Sequence, residues 1–490
     1  MPTSLKHIKR RCKLPVILDH PTKREIEMSS STLDAASLFS NCGAGDVGYA
    51  KAGFSFRVMA EIKQRRLAVA LANHKDARGV PGDLRFTWRD VIASYHNESR
   101  SGRPALLSAC PPCQGMSTAR GGRGREGDAA AGSRDGRNLL VEVIAQVANR
   151  LQPRIVVVEN VAAFLSRLVL NPRNGEPISA AVLLRDLLGP RYECFPFLTD
   201  LADYGVPQRR VRAFTTFVRN DEPAIAALAQ SECVPYPIPT ASAEAGNWTS
   251  LEQALSHLGA KCLDAKSKEA ARDPSRPMHA VPVWGFNHQY RMVAAIPPSS
   301  GGRAWDTAVC EDRCNSPVGA DDAVCPACNN PLLRPVVQEA DGSYRLVRGF
   351  RRSSYSRMRP DAPAPTITTA SGHVGSDNTI HPVENRVLSP LECAHLQTIP
   401  DDFDWGGALD DWGPTAVRAM IGEAVPPRFT EMHGRVLVAL LEGRTEGLAS
   451  ANDRRVVKAI ERMQRGVGTT NPGRYTADQR QAIPIDCRWR

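Results

Sequence analysis

Cys113 lies in the run Ser108-Ala109-Cys110-Pro111-Pro112-Cys113-Gln114-Gly115, after a short apolar stretch, Ala105 to Ala109, that reads as a buried strand. Two consecutive prolines extend neither a helix nor a central strand, so they end it on a stiff turn. A thiol on such a turn, at the C-terminal end of a strand in an open α/β sheet, stands where these sheets place their chemistry. As a thiolate it is a nucleophile; a lone cysteine otherwise reads as a small buried hydrophobe. Glu159, in Glu159-Asn160-Val161 just past the apolar run Ile155 to Val158, would share that rim as a carboxyl able to exchange a proton. Arg210 and Arg212 alternate along an extended segment and so point the same way. As a cluster on a loop, the same arginines equally read as surface charge.

A second constellation precedes these. Asp34 to Phe39 reads as a first strand, followed by Ser40-Asn41-Cys42-Gly43-Ala44-Gly45-Asp46-Val47-Gly48 and a helical pattern through Phe54. A strand, a glycine-rich turn and a helix start let backbone N–H groups approach a ligand closely. Phe56 to Glu61 is a second strand ending in an acid, the place where nucleotide folds hold a ribose, although a solvated strand-end charge is the equal alternative. Asp90, in Trp88-Arg89-Asp90-Val91-Ile92, would be a third ligand by the same logic.

These groups meet only if a parallel sheet carries them. Leu139 to Leu151 has an amphipathic helical period stopped by Pro153, and Ile178 to Leu188 has another. Tyr192 to Phe197 and Ala213 to Val218 read as further strands, and the β-α-β rhythm predicts a doubly wound, mostly parallel α/β sheet. From Pro223 to Arg357 the alternation stops, and the chain is read as an inserted, irregular second domain. It resumes with a strand at Thr366 to Thr369, a helix at Leu391 to Thr398 and another at Phe429 to Leu441. The predicted division is thus a basic extension (1–32), a catalytic domain (33–222), the insertion (223–357), a return to the first domain (358–444) and a basic tail (445–490). In that tail Val456, Ile460 and Met463 form one apolar stripe, the mark of a docking helix.

Inside the insertion, Cys310, Cys314, Cys325 and Cys328 form C-x3-C, a gap of ten and C-x2-C. Four thiolates at this spacing can close a tetrahedral structural zinc site; unrelated reduced thiols or a redox pair are the alternatives.

The totals bound the class. The 490 residues carry 13 cysteines, an odd number scattered over a long chain, which argues against a disulfide framework. Residues 1–27 hold seven Lys/Arg against three Asp/Glu and residues 451–490 nine against four, so nearly all of the +10 net charge sits at the two ends. Basicity therefore describes tails that touch a polyanion or are merely solvated, not the catalytic body. No apolar run reaches membrane-span length and no signal-peptide core is present, so an intracellular protein is expected.

Together these pieces resemble the DNA (cytosine-5)-methyltransferases, prokaryotic type, over most of residues 34–443. Ser37-Leu38-Phe39-Ser40 with Gly43, Gly45 and Gly48 looks like the family's cofactor loop. Pro112-Cys113-Gln114, Glu159-Asn160-Val161 and Gln208-Arg209-Arg210-Val211-Arg212 are similar to its Pro-Cys-Gln, Glu-Asn-Val and Gln-x-Arg-x-Arg motifs. Pro365-Thr366-Ile367-Thr368 and Gly422-Glu423-Ala424-Val425-Pro426-Pro427 look like its two closing motifs. Two positions depart from the pattern. Asn41 stands where the family usually has Gly, tolerable because Asn visits left-handed backbone readily. Glu423 stands where it usually has Asn, which bears on hydrogen bonding beside the cofactor.

The resemblance implies a Rossmann-like methyltransferase fold and S-adenosylmethionine as methyl donor. Its contacts would come from Phe39, Ser40, Gly43, Gly45, Glu61, Ile62, Asp90, Val91, Pro112, Glu423 and Val425, with Phe39 near the adenine, Glu61 on the ribose and Asp90 at the adenine amine. Cys113 would add to carbon 6 of a cytosine flipped out of duplex DNA, and Glu159 would assist at ring nitrogen 3 and the exocyclic amine. Arg212 would contact the ring carbonyl, and Arg210 would hold the site's geometry or a phosphate. The 115–137 loop would close over the base, and the insertion would be the target-recognition domain. The implied setting is a cytoplasmic, nucleoid-associated bacterial monomer, without membrane attachment. It would protect host DNA in a restriction-modification or related phage-defence system, with other proteins of that system as partners. An RNA cytosine-5 methyltransferase and a catalytically inactive DNA-binding homologue are the alternatives.

Overall fold

The computed structural model describes residues 33–99, 101–112, 139–166, 168–171, 177–314, 316–348, 354–376 and 379–464. Its centre is a seven-stranded sheet of β1 (Leu33–Leu38), β2 (Phe54–Glu61), β3 (Arg78–Pro81), β4 (Leu106–Ala109), β5 (Ile155–Val161), β6 (Tyr192–Asp200) and β7 (Val211–Arg219), in the order β3-β2-β1-β4-β5-β7-β6. The first five strands pair in parallel; β7 runs antiparallel to both β5 and β6. The sheet is thus mostly parallel, as the strand–helix alternation predicts.

Side-chain alternation divides the core in two. Ala36 and Leu38 of β1 and Val156 and Val158 of β5 face one layer, with α3 (Leu84–Glu98), α4 (Val141–Leu151) and α5 (Ala180–Leu188). Ala35, Ile155 and Val157 face the other, formed with α1 (Ala44–Lys51) and α2 (Gln64–Asn73) and with α8 (Pro427–Leu441). Strands buried on both faces read as unbroken apolar runs, which is why Ile155 to Val158 was legible. Register brings the strand ends level: Leu38 pairs with Ala109, and Ala109 with Val158, so the segments after β1, β4 and β5 emerge on one rim.

The predicted strand at Thr366–Thr369 forms no ladder. Its backbone is taken up by side chains instead: Ile367 N donates to Gln208 Oε1 (3.1 Å) and Ile367 O accepts from Arg210 Nη1 (3.1 Å). At the start of the insertion, α6 (Pro223–Ser231) and β8 (Cys233–Pro237) stay on the sheet's flank, where β8 pairs antiparallel with β9 (Leu448–Ser450). Beyond that the insertion is indeed irregular, with short helices at Leu251–Leu258 and His288–Ala294 and a hairpin of Val336–Gln338 with Tyr344–Leu346. Its own core draws Met292, Val293, Ile296 and Ala304 together with Val374, Ile380 and Val387. The kinked α7 (Ala408–Glu423) and α8 bring the chain back to the sheet. The stripe of the basic tail does dock: α9 (Arg454–Gln464) buries Val456 and Met463 and half-buries Ile460, with Ala459 buried between them. Among the described residues, no helix is long and apolar enough to cross a membrane.

Candidate active site

The rim formed by β1, β4 and β5 opens into a cleft of about 1050 Å³. Cys113 lies outside the described residues, as does the rest of the glycine-rich stretch. Its immediate neighbours do not. Pro111 and Pro112 line the cleft, and Asn160 Nδ2 donates to Pro111 O (2.9 Å), pinning the turn to the end of β5. Glu159 lines the same wall and is buried. Arg212 Nε lies 3.0 Å from Glu159 Oε1, a consequence of the antiparallel ladder that sets Glu159 against Phe214 and Val161 against Arg212. On the other oxygen, Cys110 Sγ donates to Glu159 Oε2 (2.8 Å). The carboxyl is therefore held from two sides, facing the turn that leads into Cys113. Cys110 carries no recognisable sequence signal beyond its place three residues before Cys113.

Arg210 has a different part from Arg212. Its side chain is fully buried, with Nη1 on Ile367 O and Nη2 on Gly422 O (3.0 Å) and Ala424 O (2.9 Å). Through these bonds it clasps both closing motifs. Gly422 packs so tightly there that a Cβ would stand 2.4 Å from the backbone of Thr368 and Thr369.

The part of the cleft beside β1 and β2 holds most of the residues expected to contact a cofactor. Phe39, Ser40, Gly45, Glu61, Ile62, Pro112, Glu423 and Val425 all line it. Phe39 and Asn41 adopt left-handed backbone (φ 56 and φ 50), which supports Asn as a substitute for Gly at position 41. Glu61 is buried, with Oε2 accepting from Asn41 N and Oε1 from Lys63 N, both at 3.1 Å. Gly43 (φ 75) caps α1 rather than lining the cleft, and a Cβ there would stand 3.0–3.1 Å from His74 and Ala70. Glu423 is paired with Arg66 of α2, which answers the departure from the family's Asn with a cation from a neighbouring element.

Besides Gly43, two further expected ligands are not brought in. Asp90 and Val91 lie inside α3, the first exposed and the second buried in the core. The run Trp88–Ile92 is helix, and the acid that follows a strand here is Asp83. It comes directly after β3, accepts Arg85 N as the N-cap of α3 (3.0 Å) and lines the cleft. Hydrogen bonding from Arg85 lowers its pKa. The available signal was Pro81-Gly82-Asp83, a turn followed by a cap residue. Asp46, also unforeseen, is buried under the cleft and accepts from Ser37 Oγ and Ser108 Oγ (both 2.7 Å), tying β1 to β4; burial raises its pKa.

In the insertion, the sulfurs of Cys310, Cys314, Cys325 and Cys328 lie within 4.8 Å of one another, with Cys310 and Cys328 at 3.8 Å. Zinc–sulfur bonds of about 2.3 Å in a tetrahedron require edges of about 3.8 Å, so the donor set fits that ion. Cys314 N also donates to Cys310 Sγ (3.1 Å).

A family model of C-5 cytosine-specific DNA methylases matches residues 33–438. The chain is 28% identical over 405 residues to the Type II methyltransferase M1.HgaI of Avibacterium volantium, covering 81% of this chain and 95% of the relative. It is 23% identical over 423 residues to the Type II methyltransferase M.Eco47II of Escherichia coli, covering 85% and 82%. Among solved structures, the S. pombe Dnmt2 methyltransferase aligns with 84% of this chain and 99% of its own, at 12% identity and a TM-score of 0.45.

Proposed function

The chain belongs to the C-5 cytosine-specific DNA methylase family, and from that premise we propose that it methylates carbon 5 of a cytosine flipped out of duplex DNA, through a covalent bond to Cys113. The observation that carries this reading is the buried Glu159, held between Arg212 and Cys110, on the wall that also bears the Pro111–Pro112 turn.

Carbon 5 of cytosine is a weak nucleophile. The Cys113 thiolate adds to carbon 6, and the electrons displaced from the 5,6 double bond are received at ring nitrogen 3, where Glu159 delivers a proton. The ring is then an enamine. Glu61, Phe39, Asp83 and the Gly45–Val425 contact form the pocket that would hold S-adenosylmethionine, which when bound provides the electrophilic methyl group carbon 5 needs. Once carbon 5 carries the methyl group, the nitrogen 3 proton returns to the Glu159 carboxylate, and loss of the carbon 5 proton to a water pushes the thiolate out and restores the aromatic ring. Arg212, already on Glu159, orients that carboxyl and reaches towards the ring carbonyl. A base stacked within a duplex cannot bring its carbon 6 to a group on the rim of such a cleft, hence the flip.

The insertion would read the target, with Cys310, Cys314, Cys325 and Cys328 holding a structural zinc ion. A functional analogy is offered by Type II methyltransferases, the name of both relatives above. It supports host-DNA protection, carried out in the cytoplasm on nucleoid DNA. Transfer of labelled methyl from S-adenosylmethionine to duplex DNA, and not to RNA, is the expected result, with Cys113→Ala abolishing it. Label on RNA alone would favour the RNA reading, and no label on either the inactive one.

A further inference from the structure

The matched family region ends at residue 438, yet the chain beyond it reaches the active site. β9 pairs with β8, and Ala451 N donates to Glu232 O (2.8 Å), so the segment is stitched to the sheet's flank. In α9, Val456 joins one layer of the core, and Ala459 and Met463 join the other. Arg455 forms a buried ion pair with Asp203. With the helix fixed this way, Arg462, one turn after Lys458 on the same face, lines the cleft that Leu140, Ala162 and Ala163 also line.

The same helix braces a second arginine. Asp203 Oδ1 accepts from Trp248 Nε1 (3.0 Å), and the Arg209 guanidinium lies over the Trp248 ring, 4.4 Å from its centre. Arg209 lines the cleft but is about half exposed, its Nε paired with Asp200. It occupies a variable position of the Gln-x-Arg-x-Arg motif. Arg462 and Arg209, neither a fixed residue of the family's motifs, thus both stand on the cleft wall. One is carried by α9 and the other is steadied by α9 through Arg455, Asp203 and Trp248.

We propose that α9 is part of the DNA-binding wall, with Arg462 taking a backbone phosphate beside the target base and Arg209 another. Guanidinium groups suit phosphate oxygens through paired N–H donors, and contacts of this kind fix the position of DNA without reading its sequence. The assignment rests on the DNA-methylation reading above and deepens it.

Steady-state methylation of unmethylated genomic DNA, measured at several salt concentrations, tests it. Arg462→Ala should raise KM for DNA about tenfold, the loss of one charged hydrogen bond. It should leave KM for S-adenosylmethionine unmoved and flatten the slope of log(kcat/KM) against log[salt] by about 0.9, one phosphate's worth. Arg462→Lys should recover most of that slope. Arg209→Ala should flatten it similarly, and the double variant should add the two. An unchanged slope in Arg462→Ala overturns the proposal. So does a rise confined to the KM for S-adenosylmethionine, which would make the arginine a cofactor clamp. Wild-type protein that labels no DNA sinks the methylation reading itself, and this assignment with it.

Discussion

Asn160 Nδ2 donates to Pro111 O across 2.9 Å, joining the end of β5 to the proline turn that follows β4. Asn160 thereby fixes the carbonyl two residues before Cys113, and its other amide atom is engaged by Val161 N (2.9 Å). Asn160→Ala should free the turn and lower kcat at least tenfold, because small misplacements of a nucleophile cost rate steeply. The KM for S-adenosylmethionine should stay within about twofold. Single-turnover methyl transfer checks this; an undiminished rate would show that the prolines hold the turn alone.

Glu423 and Arg66 make a different forecast. The carboxylate is about a third exposed (34%) and the guanidinium is buried (8%), so solvent screens the pair and its contribution is on the order of 1 kcal/mol. Glu423→Asn, which restores the family's usual residue, should cost no more than that in urea unfolding while weakening cofactor binding by a few fold. Arg66→Ala should mimic it, and the double variant should be no worse than either single one.

Gly422→Ala should be far more damaging. Its Cβ would meet the Thr368 and Thr369 backbone at 2.4 Å, and backbone cannot swing aside like the end of a side chain. A loss of about 1–3 kcal/mol is expected, with methyl transfer falling further because Arg210 clasps the same carbonyls. Denaturant midpoints and kcat measured together would separate the two effects.

Metal analysis of freshly purified, reduced protein should find about one zinc per chain. A strong chelator should weaken DNA binding while leaving the sheet's far-ultraviolet signal intact, because the four sulfurs lie in the insertion and not in the sheet. Zinc-free protein with unimpaired DNA binding would refute the site.

Two buried histidines predict acid sensitivity. Burial holds His433 down to about 3 and His381 to about 4, the latter helped by the Arg386 charge. The unfolded chain binds these protons near pH 6.5, so between about pH 6.5 and 4 it holds more protons than the native state, and stability is lost as the pH is lowered. At pH 5.5 each histidine should have cost about 1.4 kcal/mol relative to its neutral form. Urea midpoints at pH 7.5 and 5.5 should show the drop, and equal midpoints would contradict it.

Much of this site could be read from residue order. The apolar run Ile155 to Val158 can only be a strand buried on both faces, so Glu159 had to emerge at its end. Thr366–Thr369 misled because β-branched residues favour strands, whereas Gln208 and Arg210, distant in sequence, take its hydrogen bonds. Asp90 misled for the opposite reason: β3 is only four residues long (Arg78–Pro81), too short to announce itself, and its acid is a helix cap. Arg462 was invisible because no local pattern tells which end of a docked helix meets a cleft. That depends on β9 and on Asp203, about 250 residues away from Arg455 in the chain (252).

The partners of Arg210 also set a timetable. Its guanidinium waits for carbonyls that lie 157, 212 and 214 positions downstream. During synthesis the sheet strands can pair early, but the cleft stays unfinished until α7 has left the ribosome, because non-local contacts form late. A nascent or prematurely terminated chain ending before Gly422 would carry Cys113, Glu159 and Arg212 and still lack the carbonyls that Arg210 clasps.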